Sequence, residues 1–327
     1  MMNVTVLGAG AWGTALASLL AKNGHHTTLW GHNPQHLDQV SKTRKNDRYL
    51  PGIELPAECR IEADIHLAAQ DADCLVMAVP SKAFRTVSSH LRKFDGIAVS
   101  VTKGIEFDSG LTMCGIMQQT MPSAKLAALS GPTLAAEVAR GIPTAIVAAS
   151  SKDSTAAAVQ KLFHRPSFRV YTSTDLLGVE LGGALKNVIA IAAGVGDGLG
   201  FGDNSKAGLI TRAILEIQRL GVACGARAET FSGLSGLGDL TVTCFSKLSR
   251  NRGFGERIGR GEQIANILLT STNVAEGYPT ACSAYQLAKK LKVETPIIDQ
   301  VHAMLYQGKN VKQAVADLTS RDLKSEY

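Results

Sequence analysis

Aromatic residues make up only 5% of the 327-residue chain, and charged residues 19%. So thin an aromatic content leaves no aromatic–basic stripe on which nucleic-acid bases would stack. A nucleic-acid partner is therefore not expected, although the formal net charge is +6. No uninterrupted apolar run of about 18 residues occurs, so no membrane insertion is expected. The six cysteines, Cys59, Cys74, Cys114, Cys224, Cys244 and Cys282, form no C-x-x-C pair and no metal-ligand spacing. They read as reduced thiols of a cytoplasmic protein, with no metal site. The first residues lack the basic stretch of a signal peptide. What is present is 45% hydrophobic residues over a length that suits two domains. The positive charge suits anionic ligands, phosphates in particular.

The first half carries a β-rich run, Asn3 to Leu7, then Gly8-Ala9-Gly10-Ala11-Trp12-Gly13, then a helical pattern that stops at Asn23-Gly24. A G-x-G-x-x-G alone says little; between a strand and a helix it is the fingerprint of a dinucleotide-binding fold. Gly8 permits the tight turn, Gly10 lets the backbone approach a pyrophosphate, and Gly13 lets helix and strand pack closely. The pyrophosphate then rests on the helix N-terminus at Ala11. The second run, His26 to Trp30, ends in Gly31-His32-Asn33. No carboxylate stands there to hold ribose hydroxyls and repel a 2′-phosphate. His32, with Arg44, Lys45 and Arg48 nearby, favours NADP(H), with NAD(H) still possible.

Further apolar runs at 74–79, 96–101, 125–129, 143–149 and 168–171 predict a doubly wound, Rossmann-type α/β sheet over residues 1–173. Ligands bind at the carboxyl ends of such strands. Those ends carry Pro80-Ser81, Thr102-Lys103-Gly104 and Ser130-Gly131-Pro132-Thr133. Lys103 is the one cation among them; the alternative is a solvated turn lysine. Gly131 and Thr133 either meet a ligand or open a helix running through Glu137.

After residue 173 helical periods take over, which predicts an all-α domain over 174–327. The run Gly182-Gly183-Ala184-Leu185-Lys186-Asn187-Val188-Ile189 sets a lysine among small and aliphatic residues. Desolvation lowers an ammonium's pKa toward the working pH, so Lys186 is a candidate for proton transfer; the alternative is a lysine snorkelling to water. The two glycines leave room for a ligand, and Asn187 adds an amide. Asp239, in Gly236-Leu237-Gly238-Asp239, either supports Lys186 or caps a turn. Ser249 reads as an N-cap, with Arg250 and Asn251 in the first helical turn, an arrangement suited to phosphate or to a plain basic turn. Glu276, in Val274-Ala275-Glu276-Gly277, says little alone.

Taken in order, the glycine loop, Val101-Thr102-Lys103-Gly104, Ser130-Gly131-Pro132-Thr133, Leu185-Lys186-Asn187, Gly236-Leu237-Gly238-Asp239-Leu240, Ser249-Arg250-Asn251 and Val274-Ala275-Glu276-Gly277 resemble bacterial NAD(P)-dependent glycerol-3-phosphate dehydrogenases over nearly the whole chain. The resemblance implies reversible reduction of dihydroxyacetone phosphate to sn-glycerol 3-phosphate, a homodimer, and a place in phospholipid synthesis. It implies that Lys186 donates or accepts the proton, assisted by Lys103 and Asp239. By the same resemblance Lys103, Gly131, Thr133, Asp239, Ser249, Arg250 and Asn251 bind substrate, and the adjacent Lys186 and Asn187 are expected to join them. Trp12, His32, Lys103, Ala135, Arg250, Val274 and Glu276 contact the nucleotide. Many relatives carry Arg where this chain has His32. The residues also admit a related dehydrogenase of hydroxyacyl or phosphorylated sugar-acid substrates, or, more remotely, a non-catalytic NADPH sensor.

Overall fold

The computed structural model describes residues 1–270, 275–322 and 325–326. The chain divides into two compact units: Met1–Glu106 with Leu111–Glu180, and Phe107–Gly110 with Leu181–Tyr327.

The first unit is built on eight strands: β1 Asn3–Leu7, β2 His26–Trp30, β3 Arg60–Glu62, β4 Cys74–Met77, β5 Ile97–Ser100, β6 Lys125–Ser130, β7 Thr144–Ala149 and β8 Phe168–Ser173. Their order is β3-β2-β1-β4-β5-β6-β7-β8. Every neighbouring pair is parallel except β6 and β7. The first six strands thus follow the dinucleotide-binding order, with the chain reversing direction across the sheet beside β1. Strand periodicity sorts the core into two layers. Val4, Val6, Cys74 and Val76 pack with Leu16, Leu20, Phe163 and Phe168 on one face. Leu7, Leu75 and Met77 pack with Phe84, Met113 and Met117 on the other. Strands covered on both faces read as continuous apolar runs, and that is how β4 to β7 are visible in the sequence. The edge strand β3 is three residues long, partly exposed and mostly charged, so no pattern announced it. Buried Glu180 closes the first unit's helix Met113–Thr120, accepting from Cys114 N and Thr112 Oγ1, each at 2.8 Å.

The second unit is helical. Its central element is the Leu176–Gly198 helix, which begins in the first unit. It is long and apolar enough to cross a bilayer, but 83% of its most apolar window is buried inside the protein, as in the core helix of a folded domain. The Arg250–Gly259 helix lies against it with backbone touching backbone. A Cβ at Gly194 would fall 1.9 Å from the Arg252 carbonyl oxygen, and one at Gly255 2.0 Å from that of Ile191. Gly198 and Gly259 repeat the contact one turn along. Other helices follow at Asp203–Ala223, Asp239–Phe245, Ile264–Thr270, Gly277–Leu291, Pro296–Tyr306 and Val311–Thr319. The carboxylate of buried Glu216, on the first of these, accepts from Ile297 N at 2.9 Å and Ile298 N at 2.8 Å, and so caps the Pro296–Tyr306 helix.

Candidate functional site

The glycine loop of the first unit joins β1 to the Ala11–Lys22 helix. Gly8 has a φ of +127°, and a Cβ there would lie 2.6 Å from the Ala78 carbonyl oxygen. A Cβ at Gly13 would lie 1.9 Å from the Gly8 carbonyl oxygen. Both glycines are therefore demanded by the protein's own packing. Gly10 is different: a Cβ there would meet nothing within 4 Å. Its missing side chain leaves open space in front of a helix N-terminus that no side chain caps and no acid occupies. That is the cradle a pyrophosphate requires, with Ala11, Trp12 and Gly13 supplying the first N–H groups. Asn46, fully buried, fixes the loop from outside the motif by donating to Ala9 O at 3.0 Å and Thr14 Oγ1 at 2.8 Å. Nothing in the spacing of the sequence pointed to it.

His32 is exposed just past β2, and its field and that of Arg48 act on His36. Burial and the nearby Arg48 guanidinium hold His36 below the ordinary histidine range. Arg44 is not available to a phosphate. Its guanidinium ties down the following loop, donating to the carbonyls of Pro56, Ala57 and Cys59. Beyond β5 and β6, Lys103 Nζ donates to Gly131 O at 3.0 Å and Thr133 Oγ1 donates to the same oxygen at 3.1 Å. Three residues predicted to bind substrate thus converge on one carbonyl. Gly131, at φ +155°, closely approaches β7, with a Cβ position 3.1 Å from the Ile146 Cα. Ala135 opens a short helix, Ala135–Ala139, whose cap position is Leu134 rather than Thr133.

In the second unit Lys186 is 6% exposed and Asp239 1%. Lys186 Nζ lies 2.9 Å from Asp239 Oδ1 and donates to Thr243 Oγ1 at 2.6 Å, while the Thr243 hydroxyl donates to Asp239 Oδ1 at 3.2 Å. The ammonium is buried yet doubly met, rather than snorkelling. Asp239 and Thr243 share a face of the Asp239–Phe245 helix because they are four residues apart. A π-turn, Leu234–Gly238, runs directly into that helix. Gly182, one turn before Lys186, serves this turn: a Cβ would fall 2.8 Å from the Ser235 carbonyl oxygen. At Gly182, then, the room expected for a ligand is taken by the protein's own backbone. Thr243 escaped the sequence reading, since nothing distinguishes it from neighbouring threonines until the helix forms.

Ser249 is the N-cap of the Arg250–Gly259 helix, its side chain accepting from Arg252 N at 3.2 Å. Asn251 donates to Asn187 Oδ1 and accepts from Gly277 N, both at 2.8 Å. The two asparagines expected at the substrate therefore also bind three helices together. Arg250 is exposed, with the Glu276 carboxylate acting on it. Val274 lies outside the described residues. Among the described residues no group of three or more His, Cys, Asp or Glu could hold a metal. Cys59, Cys74, Cys114 and Cys244 are buried free thiols. Burial pushes Cys59 up to about 11 and Cys244 up to about 12, and raises Cys74 and Cys114 further.

Residues 3–156 match the model of the NAD-dependent glycerol-3-phosphate dehydrogenase N-terminus, and residues 175–316 that of its C-terminus. The chain is 50% identical to a glycerol-3-phosphate dehydrogenase, NAD(P)+, of Syntrophotalea carbinolica, with 99% of each chain covered. It is 49% identical to the protein of that name from Citrifermentans bemidjiense, covering 99% of this chain and 98% of the relative. The crystal structure of glycerol-3-phosphate dehydrogenase from Coxiella burnetii superposes with a TM-score of 0.95 at 35% identity, covering 98% of this chain and 99% of that one.

Proposed function

The chain belongs to the NAD-dependent glycerol-3-phosphate dehydrogenase family, and from that premise we propose that it reduces dihydroxyacetone phosphate reversibly to sn-glycerol 3-phosphate, for glycerophospholipid synthesis in the cytoplasm. The observation that carries this reading is the buried Lys186–Asp239–Thr243 triangle in one unit with the Ser249–Arg250–Asn251 helix start. The division of labour is a dinucleotide-binding domain over 1–173 and a substrate domain over 174–327.

When bound, the nicotinamide supplies the hydride for the C2 carbonyl. Negative charge then builds on the C2 oxygen, and Lys186 stabilises it and donates the proton. In the reverse direction Lys186 accepts that proton. Asp239 and Thr243 hold Nζ in place, and Lys103 adds positive charge. Arg250, Ser249, Asn251 and the helix N-terminus hold the phosphate, so that binding energy far from the reacting carbon orients it. Gly131, Thr133 and Asn187 complete the substrate contacts. Gly8, Gly10, Ala11, Trp12, Gly13, His32, Lys103, Ala135, Arg250, Val274 and Glu276 receive the nucleotide. NADPH is favoured over NADH: no acid follows β2, and His32, with Lys45 and Arg48 nearby, suits a 2′-phosphate. The protein acts as a homodimer, which sedimentation would check.

The test is consumption of NADPH and NADH, run in parallel, with and without dihydroxyacetone phosphate. Consumption that depends on this ketone supports the reading, and the ratio gives the cofactor preference. Nucleotide binding without turnover would return the case to a different substrate or to a sensor.

A further inference from the structure

One ionic cluster of the second unit has no part in the chemistry just described. Asp197, at the end of the Leu176–Gly198 helix, lies with Oδ1 2.7 Å from Lys206 Nζ and Oδ2 2.6 Å from Arg252 Nε. All three side chains are close to nine-tenths buried: 12% exposed for Asp197, 10% for Lys206 and 11% for Arg252. Arg252 also meets Glu256 at 3.3 Å, one turn along its own helix. Lys206 reaches over the Phe245 ring at 5.1 Å. The cluster is close enough to the Lys186 triangle that Lys186, Lys206, Asp239 and Asp197 all act on the Cys244 thiol.

Burying three charges is costly, and apolar residues of the same volume generally do as well for stability. What the cluster supplies is position. Arg252 is the third residue of the helix that starts Ser249-Arg250-Asn251, and its own N–H closes the Ser249 cap. A clamp on Arg252 therefore fixes the first turn, where the N–H groups and the Arg250 side chain receive the phosphate. The clamp is anchored eleven residues after Lys186, on the helix that carries it. Gly194 and Gly255 set the separation of the two helices; having no side chains, they make no directional side-chain contact along the axis. Asn251 and Arg252 provide the lock.

We propose that Asp197 is a positioning residue for the substrate phosphate: it holds Arg252, with Lys206 sharing its carboxylate, and thereby sets the distance between the phosphate grip and the proton donor. The proposal rests on the function proposed above, and its test separates the two. The Asp197→Asn variant keeps the shape and removes the charge. Its KM for dihydroxyacetone phosphate is expected to rise about tenfold, equivalent to about 1.4 kcal/mol of lost substrate binding, with KM for the nucleotide unchanged and kcat within about threefold. Because Arg252 then keeps Glu256 but loses its closer acidic partner, which weakens the fold, the Asp197→Asn/Arg252→Met pair is measured beside it. It removes both charges, and its KM is expected to match that of Asp197→Asn alone rather than the product of two single effects. If the wild-type protein does not turn over dihydroxyacetone phosphate, the proposed function falls. If it does, and both variants keep the wild-type KM while only their Tm changes, Asp197 is a structural ion pair and the positioning role falls.

Discussion

A lysine ammonium at the depth of Lys186 is stable because Asp239 and Thr243 meet it, and the same two partners leave it in one place. The Lys186→Ala variant is expected to lower kcat by at least ~100-fold, the lower end of acid–base effects, while a fluorescence titration finds nucleotide affinity intact. Near-normal turnover would remove Lys186 from the chemistry. The substitution also removes the cation that balances the buried Asp239 carboxylate, so a lower Tm should accompany it. Arg250 is exposed where Lys186 is buried, and its loss should appear elsewhere in the kinetics. Arg250→Ala is expected to raise KM for dihydroxyacetone phosphate by about tenfold to a hundredfold, the range for one charge-assisted hydrogen bond. Steady-state assays at saturating nucleotide would reveal it, and an unchanged KM would place the phosphate elsewhere.

Helix packing in the second unit turns on where glycine is required and where it is incidental. Gly255→Ala puts a methyl group 2.0 Å from the Ile191 carbonyl oxygen, so the helices must part. The expected loss is about 1–3 kcal/mol, as for overpacked cores. Gly253 lies two residues away in the same helix, and a Cβ there meets nothing within 4 Å. Gly253→Ala is expected to gain about 0.5–1 kcal/mol from helix propensity. Opposite shifts in thermal midpoint would establish the packing, and equal shifts would refute it. The same contrast explains what the sequence made legible. Strands β4 to β7 show as apolar runs and β1, β2 and β8 as short β-rich ones, and the glycine loop shows by its place between strand and helix. The pairing of Lys186 with Asp239 was open to reasoning because each stood out from an apolar surrounding. Thr243, Asn46 and the Asp197–Arg252 pair did not stand out: their partners lie about 30 to 60 residues away, and only the fold makes them neighbours. Gly182 was visible as a small residue, but its role could be read only once Ser235 was seen against it.

Across the whole molecule, two buried carboxyls make stability depend on pH. Burial pushes Glu180 and Glu216 up to about 7, from an unfolded value near 4.5, against the pull of the N–H groups they accept from. The native state therefore holds these protons where the unfolded chain has lost them. Stability from this source is greatest below about pH 4.5 and falls as pH rises toward about 7. Between pH 8 and 5.5 the midpoint of Glu180→Gln/Glu216→Gln should rise less than that of the wild type; parallel curves would contradict this. One carboxyl lies in each unit, so the single substitutions assign the slope. The buried thiols divide in the same way, Cys74 in the first unit and Cys244 in the second. With their thiolates suppressed by burial, neither reacts while its surroundings stay closed. An alkylating reagent added in native buffer would thus tag each only when its unit opens. The two labelling rates would serve as independent clocks, showing whether the sheet and the helical unit breathe together or one at a time.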